Sequence, residues 1–298
     1  MDNILRIEHV HQYNTLMGQK TLHPLISIID LSKSGPIRHL RKYMGIYVIF
    51  LKDVKCGDIK YGKQNYDYQD GTLMFVAPGQ VIDIDNNGEY FQPNGKALIF
   101  HPDLIRGTSL GQRIREYSFF SYESNEALHL SDEERQIVTD CLNKIETELN
   151  HSVDKHSKML IVSNIELLLN YSVRFYDRQF ITRSHINHSL LTRFETLLND
   201  YFESDKPQKI GLPTVKYCAD QLNLSPGYLG DLIKKESGKS AQEHIQLKLI
   251  DKAKEKILEP GKTASEIAYE LGFKHPQHFS RMFKSETGYT PNKYKTLS

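Results

Sequence analysis

The chain is short of cysteine, of net charge and of long apolar runs, and each shortage excludes something. Cys56, Cys141 and Cys218 are odd in number, far apart and without ligand-like spacing in 298 residues. They exclude a disulfide framework and a cysteine zinc site and indicate a reducing compartment. No stretch approaches the ~18 apolar residues of a membrane span. The opening Met-Asp-Asn-Ile-Leu-Arg has no basic segment followed by an apolar run, so the expectation is a soluble, cytoplasmic protein with no membrane partner. The net charge of +1 excludes little, but its distribution is uneven. Residues 207–298 hold 15 Lys and Arg against 10 Asp and Glu, and the first 206 residues hold 23 against 27. A basic C-terminal third behind an acidic body fits a nucleic-acid footprint confined to one domain. The length suffices for two domains, each with its own core.

What the chain does have is a pattern over residues 263–291. Ile267, Ala268 and Leu271 mark one apolar helix face, Gly272 permits a tight turn, and Phe279, Met282 and Phe283 mark a second face. This predicts a helix-turn-helix whose second helix begins at His275-Pro276, proline suiting the first helical position. The same pattern occurs earlier. Ala219, Leu222 and Leu224 match Ala268, Leu271 and Phe273 at an offset of 49. Leu229, Ile233, Lys234 and Gly238 match Phe279, Phe283, Lys284 and Gly288 at 50. A one-residue slip in the turn accounts for the change, and the repeat implies two copies of one unit. Between them Ala241, Ile245, Leu249, Ala253 and Ile257 recur every four residues, the stripe of one long helix.

Ile267-Ala268, Gly272-Phe273, the run from Phe279 to Lys284, Gly288 and Thr290-Pro291 resemble the AraC family of bacterial transcription regulators. The resemblance covers about residues 210–295. It implies a DNA-binding domain of two helix-turn-helix units joined by a long helix, with double-stranded DNA as partner. On the second recognition helix Gln277, His278, Ser280, Arg281 and Lys284 are the candidate DNA contacts. Arg281 suits guanine, Gln277 suits adenine and Lys284 suits phosphate. The rival reading of Arg281 is a surface salt bridge with Glu270 or Glu286. On the first recognition helix, from Ser225-Pro226, the candidates are Gly227, Tyr228, Asp231 and Lys234. With Gly230 beside them they are poor in base readers, so shape or phosphate positioning is expected there.

From about residue 22 to 101 the reading is β, with strands near 25–31, 45–51, 72–77, 81–84 and 97–100 and turns at 86–88 and 93–95. Many short strands suggest a small barrel or roll. The Ala77-Pro78-Gly79-Gln80 turn is similar to that of the cupin-like N-terminal domains in the AraC family. A metal-binding cupin would need a His-x-His pair, a nearby Glu and a further His. His9-Val10-His11 has the first spacing but precedes the strands without the Glu, so no metal and no cofactor are expected. Tyr47, Tyr61 and Asp83 are the candidate effector contacts, with Tyr47 and Asp83 read as lining the roll interior. Helices follow at about 131–149, opened by a Ser131/Glu134 capping box, and at 157–177, whose wide apolar arc is either packed within its own domain or paired with a second subunit, the resemblance to the AraC family implying the dimer.

The expected architecture is therefore α+β. Residues 1–178 form a cupin-like β-roll with dimerising helices, 179–189 a linker, and 190–298 the all-α double helix-turn-helix domain. The expected function is a sequence-specific DNA-binding transcription regulator, not an enzyme, acting as a homodimer, with a small-molecule effector and RNA polymerase among its partners. The alternatives are a cupin-type enzyme tethered to DNA and a ligand-independent regulator whose roll serves assembly alone.

Overall fold

The computed structural model describes residues 4–38, 41–52, 71–82, 90–123, 126–151, 154–182 and 184–297. The chain divides into two compact units, Met1–Thr182 and Arg183–Ser298. All the described strands lie in the first unit, and the second is helical, the α+β class indicated by the sequence.

The N-terminal unit runs β1 (Leu5–Ile7), α1 (Val10–Leu16), β2 (Ile26–Asp30), β3 (Ile37–Arg38), β4 (Lys42–Met44), β5 (Tyr47–Lys52), β6 (Thr72–Val76), β7 (Gln80–Ile82), β8 (Tyr90–Phe91) and β9 (Gly95–Phe100). Then come α2 (Pro102–Ile105), α3 (Ser109–Arg113), β10 (Leu128–His129), α4 (Asp132–Asn150) and α5 (Ser157–Thr182). Five strands form a sheet in the order β10-β6-β5-β9-β2, three form β1-β4-β7, and β3 pairs with β8.

The larger sheet is covered on both faces, which is why every residue of β6 is buried. Strand alternation sorts its side chains. Val48, Phe50, Met74, Val76, Ala97 and Ile99 join Ile7, Tyr13, Met44 and Ile82 in one apolar core. Tyr47, one residue out of phase, stacks on Phe100 at 4.8 Å and meets Phe120 edge-on at 5.1 Å. Phe75 on the same side packs on Phe119 at 4.3 Å. The expectation that Tyr47 lines the roll interior is corrected by this period of two. Tyr61, Asp83 and the 86–88 turn lie outside the described residues.

The capping box of α4 is formed. The Glu134 amide donates to Ser131 Oγ at 3.3 Å, and the Ser131 amide donates to Glu134 Oε2 at 2.9 Å. Strand β10 is a sheet edge, and α5 supplies its missing partners. The His129 amide donates to Gln179 Oε1 at 2.8 Å, Arg178 Nη2 donates to the His129 carbonyl at 2.6 Å, and Gln179 Nε2 donates to the Ala127 carbonyl at 3.3 Å. Gln179 and Phe180 are buried. Residues 179–182 of the expected linker belong to α5, whose polar groups satisfy strand backbone, and the division between the two units falls after Thr182.

The C-terminal unit comprises α6 (Ser184–Glu203), α7 (Lys206–Ile210), α8 (Val215–Leu222), α9 (Pro226–Ser237), α10 (Ala241–Ile257), α11 (Ala264–Glu270), α12 (Pro276–Thr287) and α13 (Pro291–Leu297). Helix α10 is the expected rod. Its 17 residues span roughly 25 Å at ~1.5 Å per residue. Ala241, Ile245, Leu249, Ala253 and Ile257 are all buried along it. Leu249, Ile250, Ala253 and Ile257 share a core with Tyr201, Phe202, Ile267, Ala268, Leu271, Phe279 and Phe283.

Candidate nucleic-acid interface

The two helix pairs, α8–α9 and α11–α12, are built by the same hydrogen bonds. The Leu224 amide donates to the Ala219 carbonyl at 3.0 Å, and the Phe273 amide donates to the Ala268 carbonyl at 2.9 Å. Asn223 and Gly272 hold the corresponding left-handed turn positions, with φ of 57° and 93°. The second pair has one more residue before its recognition helix, Lys274, which accounts for the change of offset from 49 to 50. Beyond it the correspondence resumes. Pro226 and Pro276 open α9 and α12. Ser237 Oγ donates to the Ile233 carbonyl and Thr287 Oγ1 to the Phe283 carbonyl, both at 2.7 Å. Gly238 and Gly288 end the helices through amides that donate to Lys234 and Lys284 carbonyls, both at 2.9 Å.

The apolar periodicity fixes which face of each recognition helix is free. Phe279 and Phe283 are fully buried, and the opposite face of α12 carries Gln277, Arg281 and Lys284, all exposed, at i, i+4 and i+7. His278 is exposed, with its ring 5.4 Å from that of His275, and Ser280 is half-buried. On α9, Lys234 is exposed while Gly227, Gly230 and Asp231 are half-buried. Tyr228 is only 6% exposed, which corrects its placement on the open face. Its phase puts it beside Leu229 and Leu232 as a packing residue. Lys274, exposed in the longer turn, was not among the sequence candidates. The one-residue slip is the signal that marks it.

The rival salt-bridge reading of Arg281 fails on geometry. Glu270 is held by Lys256 at 2.7 Å and Lys262 at 2.8 Å. Glu286 Oε1 accepts from Gln246 Nε2 at 2.7 Å. Burial pushes the Glu270 carboxyl up, but hydrogen bonds from Lys256 and Lys262 outweigh it and hold the group below the ordinary glutamate range. Among the described residues Arg281 has no ion-pair partner, so its planar five-donor head is presented to solvent.

Comparisons with known proteins bear on the same residues. The family described as a helix-turn-helix domain matches residues 218–296, from α8 to α13. The chain carries an AraC-type helix-turn-helix domain. The uncharacterized HTH-type transcriptional regulator YobQ of Bacillus subtilis is 21% identical over 257 residues, 82% of this chain and 95% of that protein. The uncharacterized transcriptional regulatory protein YesN of the same organism is 35% identical over 85 residues, 28% of this chain and 23% of its own. The solved C-terminal domain of AraT, a response regulator from Geobacillus stearothermophilus, aligns with 37% of this chain and 85% of that one, at 28% identity and a TM-score of 0.33. The likeness to YobQ reaches well beyond the AraC-type domain into the sheet-bearing unit. Among the described residues no helix is long and apolar enough to cross a membrane, and no group of three His, Cys, Asp or Glu could hold a metal ion.

Proposed function

We propose that the chain is a sequence-specific transcription regulator that reads double-stranded DNA through α12, with α9 positioning the domain on the duplex. The observation that carries this reading is the free face of α12, where Gln277, Arg281 and Lys284 stand in one row while the carboxylates nearest in the pattern are already engaged. Arg281 suits the paired acceptors of guanine in the major groove, Gln277 the donor–acceptor edge of adenine, and Lys284 a phosphate. Helix α9 presents two glycines and Asp231 on its open side, so its part is backbone approach and Lys234-to-phosphate contact.

The N-terminal unit dimerises and takes a small-molecule effector in this reading. Dimerisation is supported by α5, where Leu160 and Leu167, a heptad apart, are each 41% exposed and Met159 is 60% exposed. A dimer places two AraC-type domains on one operator, which makes the second binding event intramolecular.

The test is selection of binding sites from a random DNA library with the full-length protein. Two half-sites of fixed spacing are expected, and the Arg281→Ala protein should select the same site with one base position relaxed. An unenriched pool from the wild type would refute the DNA-reading role.

A further inference from the structure

The repeat that relates the two helix pairs also aligns their recognition helices. At the offset of 50, Gly227, Asp231 and Lys234 of α9 take the row that Gln277, Arg281 and Lys284 take on α12, and Gly230 takes the place of Ser280. Gly230 and Asp231 flank the line from Gly227 to Lys234, on the side of α9 opposite the buried Leu229 and Leu232. Gly230 lies inside the helix, where glycine is less stable than alanine because its backbone gives up more freedom on folding. Nothing within the chain requires a glycine there. Its φ is not positive, and a β-carbon on it would meet nothing within 4 Å. Gly111 of α3 differs, since a β-carbon on it would run into the Ile105 carbonyl oxygen.

We infer that α9 lies closer to the duplex than α12 does, with Gly227 and Gly230 against the DNA, and that Asp231 reads a cytosine there. Aspartate is far shorter than the arginine at the matching position of α12. It reaches a base edge only where the helix backbone itself enters deep into the major groove, and the missing side chains at 227 and 230 allow that approach. A carboxylate beside phosphates is repelled, so it favours binding only when it meets a donor on a base. Guanine and thymine present acceptors in the major groove, and adenine sets the acceptor N7 next to its amino group. Cytosine presents its amino group alone, so the acid selects cytosine. Asp231 also interacts within the chain, and a carboxylate has acceptor sites for more than one donor. Lys234, exposed on the same face, is left for phosphate. The inference rests on the DNA-reading role proposed above and adds to it a base read by α9.

The experiment repeats the selection from a random duplex library with full-length wild type, Asp231→Asn and Gly230→Ala, followed by titrations on the wild-type duplex and by thermal melts. The wild-type pool should hold two read blocks per half-site, about one helical turn apart, with a C·G pair fixed in the block that does not respond to Arg281→Ala. Asp231→Asn keeps the shape of the side chain and removes its charge. It should exchange that pair for A·T, since asparagine bonds the paired donor and acceptor of adenine. Its preference for C·G over A·T should fall by at least about tenfold. Gly230→Ala should move stability and binding in opposite directions. Its melting temperature should rise by a few degrees, while its affinity for the wild-type duplex falls about tenfold, because the added methyl stands between helix and base. A glycine that serves only the fold would give a lower melting temperature and an unchanged DNA affinity. That result, an unaltered base preference in Asp231→Asn, or Gly230→Ala bound as tightly as wild type each overturns the inference. A wild-type pool that holds only the block of α12 overturns it too and leaves DNA reading by α12 standing, whereas an unenriched pool refutes that reading as well.

Discussion

Gly272 lies directly against Gly211: a β-carbon placed on Gly272 would stand 2.8 Å from the Gly211 carbonyl carbon and 2.7 Å from the Pro207 carbonyl oxygen. The atoms in the way are backbone and cannot swing aside. Gly272 also holds φ of 93°, where an L side chain is strained. Gly288 holds φ of 79°, but a β-carbon there meets nothing within 4 Å. Gly288→Ala should therefore lose only the backbone term, about 1–2 kcal/mol. Gly272→Ala should lose that and roughly 1–3 kcal/mol more from overpacking. Urea unfolding of the two variants checks the difference, and equal losses would show that the α7 backbone gives way.

Why the sequence spoke clearly in one unit and faintly in the other follows from the same local rules. In the AraC-type domain each determinant is short-range: Pro226 and Pro276 start helices, Gly238 and Gly288 end them, and the Ala241-to-Ile257 stripe repeats along one helix. Tyr228 was misplaced because a tyrosine satisfies both an open and a packed face in pattern terms, and only the neighbouring helices decide. In the sheet unit, β4 and β10 are too short to show alternation, and only their pairing with neighbouring strands fixes which face each residue takes. The 179–182 segment looked like a linker because Gln179 is polar, yet that amide is consumed by the edge of β10.

Arg281 and Lys284 should fail in different ways. Removing a bidentate base contact by Arg281→Ala should weaken the selected site by about 1–3 kcal/mol and relax one base position. Lys284→Ala should weaken all sequences alike and reduce the slope of log affinity against log salt by about one. Titrations on the selected site and on a scrambled duplex, at several salt concentrations, distinguish the two. A sequence preference unchanged in Arg281→Ala would assign the arginine to phosphate.

Cys218 gives a local probe of the C-terminal unit. Residues 183–298 should fold alone, since Phe194, Leu198 and Tyr201 of α6 are buried, whereas a start at 190 would cut the first turns of α6. Cys218 is the single cysteine of that fragment. It is fully buried, and burial pushes its thiol up to about 11, so the reactive thiolate is scarce at neutral pH. A thiol reagent at pH 7.5 should label it only through opening of the fold, at a rate that rises with urea. Immediate stoichiometric labelling of a folded fragment would contradict the burial of α8.

The same fragment should lose stability on acidification in a window set by its helix caps. Glu243 accepts the hydroxyl and the amide of Ser240, both at 2.7 Å, and Glu266 accepts the amide and the hydroxyl of Thr263, both at 2.8 Å. The Ser240 side-chain bond, with its backbone bond, holds Glu243 below the ordinary glutamate range. The Thr263 backbone bond, with its side-chain bond, does the same for Glu266. A carboxyl lowered in the folded state contributes stability that is complete above its unfolded value and disappears as pH falls through the folded one. The melting temperature should thus be flat from pH 7 to about pH 5 and decline below the ordinary glutamate value, where folding must work against protonation. The Glu243→Gln, Glu266→Gln double variant keeps a carbonyl acceptor at each cap and removes the titration. It should start lower at pH 7 and fall less steeply between about pH 5 and pH 3. Parallel curves for the two proteins would place the acid sensitivity elsewhere, with Glu270 between Lys256 and Lys262 as the next group to substitute.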